Sequence, residues 1–281
     1  MSMQMRVVHT TEFEYDGSAV ASYNQARMTP VTAPGQIVVH SRLAVHPKPW
    51  TSEYRDYFGT HVIAFEVLDP HDAMSVVATS TVQVDRAPAA FPTTPWEHYE
   101  DPAFIDRWTE YLTLPELVEP AADFAVRVKE EARAAGTAGG AARAVCRVVH
   151  QEIDFLPGST DVRTPAKESW KQRAGVGQDM VHLAIGGIRS IGIPARYVSG
   201  YVHPAADPVV GETVAGDSVA WLEWWDDGWQ GFDPTADAVP DDRYIAIAVG
   251  RDYHDVSPLS GIYSGARTSR LTVDVSITRT A

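Results

Sequence analysis

Hydrophobic and polar residues alternate with a period of two along the first third of the chain. Between residues 5 and 84 the alternation recurs in segments rich in valine, threonine, tyrosine and phenylalanine. Turn signals with glycine or proline separate the segments, at Asp16-Gly17, residues 30–35, residues 47–49, Phe58-Gly59 and Asp69-Pro70. This pattern predicts five or more strands in an antiparallel sandwich or sheet.

The pattern becomes helical in the middle of the chain. Residues 86–96 contain three prolines and no periodicity, which predicts a domain boundary there. Beyond it, apolar residues recur at helical spacing, as in the stripe of Ala142, Cys146, Val149 and Ile153. Helices are predicted over residues 119–135, 141–153 and 178–191, the last ending at Gly192 and Pro194.

Strand patterns return in the last third of the chain. Asp227-Gly228, between two tryptophan-rich segments, is the strongest hairpin signal in the sequence. The predicted strands are residues 195–202, 218–225, 229–233, 244–249 and 271–278. Helices followed by strands indicate an α+β unit in which the helices pack on an antiparallel sheet.

Composition and charge narrow the class of protein. The 281 residues are 44% hydrophobic and 21% charged, which is typical of a globular protein rather than a disordered one. The formal net charge of −14 disfavours nucleic acid as a partner. No export signal and no apolar run of membrane-spanning length is visible, so we expect a soluble, cytoplasmic protein without a membrane partner. Cys146, the single cysteine, excludes intrachain disulfides and cysteine-built zinc sites.

Five segments in order carry a resemblance to a known family. They are GVGQDMVHL (residues 175–183), IRSIGIPARYVSGY (188–201), AWLE (220–223), GFDPT (231–235) and GRDYHDVSP (250–258). The chain resembles bacterial transglutaminase-like proteins, which belong to the papain-like cysteine enzymes. The resemblance implies an α+β fold, with an N-terminal β-sandwich-like domain (1–86), a linker with short helices (87–118) and a transglutaminase-like core (119–281).

The resemblance also implies where catalytic residues should stand. The family works through a cysteine that opens a helix, a histidine that starts a strand, and an aspartate about fourteen residues further on. Gly177 stands at the cysteine position and Val219 at the histidine position, whereas Asp233 is retained. Loss of a nucleophile or base costs about 10⁶ in kcat in a well-studied serine triad. The pattern therefore predicts that the family mechanism is lost, since we expect Cys146 to be a small buried hydrophobe and not a substitute.

A groove for a ligand is a separate expectation. The candidate binding residues lie around the triad positions and on the tryptophan-rich hairpin: Trp170, Gln178, Asp179, His182, Trp221 and Glu223. Asp179 could instead cap its helix, and His182 could be a core histidine. No metal-ligand spacing and no cofactor motif is present, so we expect neither.

Three hypotheses for function follow. The first is a pseudoenzyme that binds a peptide, a small amide ligand or a partner protein. The second is an enzyme of altered mechanism, in which Asp233, Asp179, His182 or nearby tyrosines perform acid–base chemistry without a covalent step. The third, a conventional cysteine transglutaminase or peptidase, is disfavoured by Gly177 and Val219. The sequence leaves the oligomeric state and the ligand open.

Overall fold

The computed structural model describes residues 2–87 and 94–281, and the first of these ranges consists mainly of strands. In β6, Met74, Val76 and Ala78 are buried while the residues between them are more exposed, as the period of two predicts. One strand, β4, lies in a stretch that the alternation does not single out. The strands of this range are β1 (Met3–Ala19), β2 (Ala21–Ala26), β3 (Gln36–His46), β4 (Trp50–Arg55), β5 (His61–Val67) and β6 (His71–Val84).

Strands from both ends of the chain build a two-sheet sandwich. The C-terminal part contributes β10 (Thr213–Ala215), β14 (Leu259–Ser264) and β15 (Ser269–Arg279). One sheet has the order β10-β15-β1-β6-β3 and the other the order β14-β2-β5-β4. Both contribute to a shared apolar core that includes Phe65 and Met74. The division of the chain into residues 1–86, 87–118 and 119–281 stays a prediction. Strands from the segment 119–281 pair with strands from the segment 1–86.

Helices and a third sheet form the remaining layer. The sheet has the order β12-β11-β9-β13, with β9 (Ala195–Val202), β11 (Asp217–Trp225), β12 (Trp229–Phe232) and β13 (Tyr244–Gly250). A short parallel pair joins β7 (Asp154–Phe155) to β8 (Ala174–Gly175). The helices are α1 (Trp96–Tyr99), α2 (Pro102–Arg107), a 3-10 turn (Thr109–Tyr111), α3 (Ala122–Ala135), α4 (Ala138–Glu152), α5 (Ala166–Gln172), α6 (Gly177–Ser190) and α7 (Tyr253–Val256).

Helix α6 is the central helix of this layer. Its residues from Asp179 to Arg189 are all buried, because α4, α5 and the third sheet enclose it. Arg189, at its end, donates hydrogen bonds to the carbonyl oxygens of Ala195, Thr113 and Arg251. These bonds compensate the buried guanidinium and fix the helix against its neighbours.

The hairpin predicted at Asp227-Gly228 connects β11 to β12. Trp225 lies opposite Trp229, and both turn residues have positive φ angles, 51° and 138°. Such angles are what a tight hairpin of this kind demands, and aspartate and glycine tolerate them.

The α+β architecture is confirmed: N-terminal antiparallel sheets come first, then helices packed on a further antiparallel sheet. Pro88 and Pro92, two of the three prolines of the predicted boundary, lie outside the described residues. Within the described ranges, every helix is too short or too polar to cross a lipid bilayer.

Candidate functional site

Gly177 and the Asp233 loop meet at the first turn of α6. Gly177 is the first residue of this helix, and Asp233 directly follows β12. A Cβ atom built on Gly177 would lie 3.2 Å from the Thr235 hydroxyl oxygen, with no other neighbour within 4 Å. The φ angle of Gly177 is not positive, so the backbone itself would accept a side chain. The cysteine position of the family therefore lies against the Thr235 hydroxyl, which would have to give slightly, and is otherwise open.

Asp233 has a full set of hydrogen bonds without a histidine. One carboxylate oxygen accepts from the backbone N–H of Thr235 at 2.8 Å and of Ala236 at 3.2 Å. The other accepts from the Tyr244 hydroxyl at 2.9 Å. Burial, followed by the nearby Asp233 charge, raises the pKa of Tyr244, so its hydroxyl stays protonated and donates. Tyr244 thus occupies the donor role that an imidazole has in the family.

Sequence reasoning missed Tyr244, although it begins a predicted strand. It lies eleven positions after Asp233, and no local motif links the two. Asp233 follows β12 and Tyr244 begins β13, which are the two edge strands of this sheet with β11 and β9 between them, so the segment that joins the two strands crosses the end of the sheet. The one available signal was the requirement that a buried carboxylate find a donor.

Val219 faces an apolar cluster. It lies opposite Gly200 on β9 and packs with Val198, Trp221 and Tyr244. The Trp221 indole meets the Tyr244 ring edge to face, with centroids 5.5 Å apart. A Cβ atom on Gly200 would come within 2.7 Å of this indole, so the glycine makes room for it. Two predicted site residues, Val219 and Trp221, therefore pack with Tyr244, which in turn donates to Asp233.

Asp179 caps α6 from within. Its carboxylate accepts from the N–H of Val176 at 2.8 Å, from the Thr160 hydroxyl at 2.6 Å and from the Ser169 hydroxyl at 3.3 Å. Burial raises its pKa, and these donors act in the opposite direction. A Cβ atom on Gly175 would lie 2.8 Å from the Asp179 Cβ, which explains the first glycine of the motif. All of these hydrogen bonds hold the carboxylate at the start of α6, so Asp179 has the capping role that was the alternative to ligand binding.

Gln178 lies beside it at the helix start. Its amide nitrogen is 3.5 Å from the carbonyl oxygen of Asp161, so the loop over residues 156–165 runs past the first turn of α6.

His182 is a core histidine. It is fully buried, and its Nε2 accepts from the backbone N–H of Tyr253 at 3.1 Å. Burial, assisted by the positive charge of Arg189, lowers the pKa of His182 to about 3. The ring is therefore neutral, with its Nδ1 buried and unpartnered among the described residues.

Trp170 and Glu223 both have partners within the fold. Trp170 is 5% exposed, packs against Phe124, and donates its indole N–H to Asp123 at 2.9 Å. Glu223 forms an ion pair with Arg196 at 2.6 Å. Packing and charge pairing already use both side chains, and a part for them in binding stays a prediction.

Cys146 is fully buried on α4, and burial raises the pKa of its thiol above the ordinary value. It behaves as a small apolar side chain. Across residues 2–87 and 94–281, no three histidine, cysteine or acidic side chains gather in a way that could hold a metal ion.

Family models match both parts of the chain. The bacterial transglutaminase-like N-terminal region matches residues 5–83, and the transglutaminase-like superfamily core matches residues 124–234. The uncharacterized protein ML0607 of Mycobacterium leprae is 40% identical over 99% of both chains. The uncharacterized protein Mb2599c of Mycobacterium bovis is 32% identical over 97% of this chain and 91% of its own.

A solved structure has the same fold. The crystal structure of a candidate cysteine protease from Cytophaga hutchinsonii superimposes with a TM-score of 0.75, covering 99% of this chain and 98% of that one, at 19% identity. The likeness extends to the sandwich as well as to the helical layer. The chain belongs to the transglutaminase-like superfamily, in the branch with the bacterial N-terminal region.

Proposed function

We propose that this chain is a non-catalytic member of the superfamily, a pseudoenzyme that acts by binding. The observation that carries the proposal is that the Asp233 carboxylate is already fully hydrogen-bonded: the oxygen that the two backbone N–H groups leave available accepts from the Tyr244 hydroxyl at 2.9 Å. Where the family mechanism needs a thiol and an imidazole, Gly177 and Val219 supply no titratable atom. Peptide segments, small amide ligands and partner proteins are the classes of ligand that such a protein would take.

Chemistry without a covalent step has few groups to draw on. Asp179 holds three donors at the start of α6, and His182 is a buried neutral ring whose Nε2 accepts from the main chain. The raised pKa of Tyr244 makes its hydroxyl a poor proton donor and leaves almost no phenolate to act as a base at neutral pH. Because these groups are held by the fold or lack the required protonation state, the pseudoenzyme is favoured over an enzyme of altered acid–base mechanism.

Restoring the missing groups tests the proposal. The variant Gly177→Cys, Val219→His, Tyr244→Phe returns the thiol and the imidazole and removes the hydroxyl that competes for Asp233. A thiol at the start of α6, beside an imidazolium, has a lowered pKa. We therefore expect this variant to react with iodoacetamide at pH 6, whereas Gly177→Cys alone reacts only at more alkaline pH.

The wild-type protein supplies the decisive control. We expect it to remain unlabelled and to incorporate no fluorescent primary amine into a glutamine-bearing peptide, with Cys146→Ala giving the same background. The proposal fails if purified wild-type protein turns over that peptide and Asp233→Asn abolishes the turnover. Circular dichroism shows whether each variant is folded.

A further inference from the structure

The outer face of the β14-β2-β5-β4 sheet carries an open groove far from the triad positions in sequence. Its volume is about 440 Å³, within the range of small-ligand sites. The floor is formed by short or flexible side chains, Ser260, Gln25 and Ala64, which follow one another across β14, β2 and β5. Successive side chains of a strand point to opposite faces of the sheet, so the residues two positions along each strand project from the same face as this floor.

One side of the groove is a cross-strand row of Ile262, Tyr23 and Glu66, and Trp50 continues this row beyond the groove. Ile262 lies opposite Tyr23, Tyr23 opposite Glu66, and Glu66 opposite Trp50. Side chains directly opposite each other have Cβ atoms about 5 Å apart, so the two aromatic rings flank the carboxylate. Ile262 is 71% exposed, Trp50 67% and Tyr23 48%, which leaves the row open to solvent.

Glu66 is the charged group of this groove. Among the residues that line it there is no lysine, arginine or histidine. Within residues 2–87 and 94–281, the Glu66 carboxylate has no hydrogen bond or ion pair. Arg27, which donates to the side-chain oxygen of the floor residue Gln25 at 3.3 Å, is paired with Asp56 at 3.3 Å. The face therefore presents one uncompensated negative charge between two aromatic rings.

We propose that this face binds a peptide segment that carries a lysine or arginine, with the cation held against Glu66 between Tyr23 and Trp50. Aromatic faces attract such cations, and a carboxylate supplies the charge-assisted hydrogen bonds. The net charge of −14 favours a basic partner in the encounter. A neutral glycan could stack on the rings but would leave Glu66 uncompensated. The site is independent of the triad positions.

Calorimetric titration of the full chain with defined decapeptides tests the proposal. Alternating Gly-Lys, Gly-Gln and Gly-Glu peptides are compared at low and at physiological salt. We expect the Gly-Lys peptide to bind at least about tenfold more tightly than the Gly-Gln peptide. Glu66→Gln should remove this preference, and Trp50→Ala should weaken binding of the Gly-Lys peptide.

The matched control is Glu12→Gln. It makes the same change in net charge at an exposed carboxylate on β1 of the other sheet, and should leave binding unchanged. Equal binding of the Gly-Lys peptide by wild type and Glu66→Gln overturns the proposal, since the peptide is then attracted by the net negative charge of the protein and not by Glu66. Tight binding of cellohexaose that survives Glu66→Gln overturns it in favour of a glycan surface. Absence of peptide binding at several millimolar also overturns it, and none of these results bears on the pseudoenzyme proposal.

Discussion

Asp233 and Glu66 are two carboxylates with opposite surroundings. Asp233 is 5% exposed and accepts three hydrogen bonds, from Tyr244 and from two backbone N–H groups. Glu66 lies on an open sheet face, with aromatic neighbours and no hydrogen-bonding partner within the two described ranges. Since a group that is already satisfied gains little from a ligand, the contrast directs the search for a binding site away from the family's catalytic position.

The two regions should also differ in what they contribute to stability. A buried carboxylate with several donors cannot be removed without leaving those donors unsatisfied. A carboxylate on a solvated face can be neutralised at little cost. The following predictions test this difference, starting with the largest effect.

Asp233→Ala should lower the free energy of unfolding by about 3 kcal/mol, because the Tyr244 hydroxyl and two backbone N–H groups lose their acceptor. Urea denaturation of the wild type and the variant measures the difference. Asp233→Asn, which keeps one acceptor oxygen, should cost less. Equal stability of Asp233→Ala and wild type would show that these hydrogen bonds contribute nothing.

Acidification should destabilise the buried region through His182. The folded pKa is about 3 against 6.5 when unfolded, so the unfolded state takes up the proton first. The stability that neutral His182 contributes is fully present above pH 6.5 and is lost as the pH falls towards 3. Between pH 7 and pH 5 this amounts to about 2 kcal/mol.

Denaturation series at several pH values isolate this contribution. His182→Gln, whose amide oxygen can accept from the N–H of Tyr253, should flatten the pH dependence. His40→Gln makes the same residue change at an exposed histidine and serves as the matched control. Burial also lowers the pKa of His9, to about 4, so His9 adds its own loss of stability on acidification. Both variants keep His9 and therefore keep this loss. Parallel curves for wild type and His182→Gln would contradict the assignment.

Tyr244→Phe should cost about 1–2 kcal/mol, since one oxygen of Asp233 then loses its buried donor. The ring and its contact with Trp221 remain, so packing should be nearly unchanged. Combining Tyr244→Phe with Asp233→Ala should cost less than the sum of the single changes, because both remove the same hydrogen bond. Additive losses in this double-mutant cycle would indicate that the bond is not formed.

The fold could be predicted wherever the signal is local. The alternation of β6 and the Asp227-Gly228 hairpin depend on neighbouring residues, and both are found as expected. The return of β15 to the N-terminal sheet is different, since Met5 pairs with Arg279 across almost the whole chain. Periodicity identifies a strand but not its partner, so this pairing was beyond the sequence.

The site shows the same limit. Motif order alone predicts the triad positions Gly177, Val219 and Asp233, because it fixes places in a known fold. It does not reveal Tyr244, because Asp233 and Tyr244 adjoin the two opposite edge strands of the sheet and no local spacing predicts their hydrogen bond. Trp170 and Glu223 were candidates by residue type, but Asp123 and Arg196 already bind them. Residue type indicates what a side chain can do, whereas its neighbours determine whether it remains free.

Glu66→Gln should change the free energy of unfolding by less than about 0.5 kcal/mol, the smallest of these effects. The side chain keeps its shape between Tyr23 and Trp50, and no ion pair among the described residues is lost. Urea denaturation beside Glu12→Gln checks this. A loss above 2 kcal/mol for Glu66→Gln alone would mean that the carboxylate is satisfied within the fold. The contrast with Asp233 would then disappear, because a carboxylate already engaged by its own chain has little to offer a ligand.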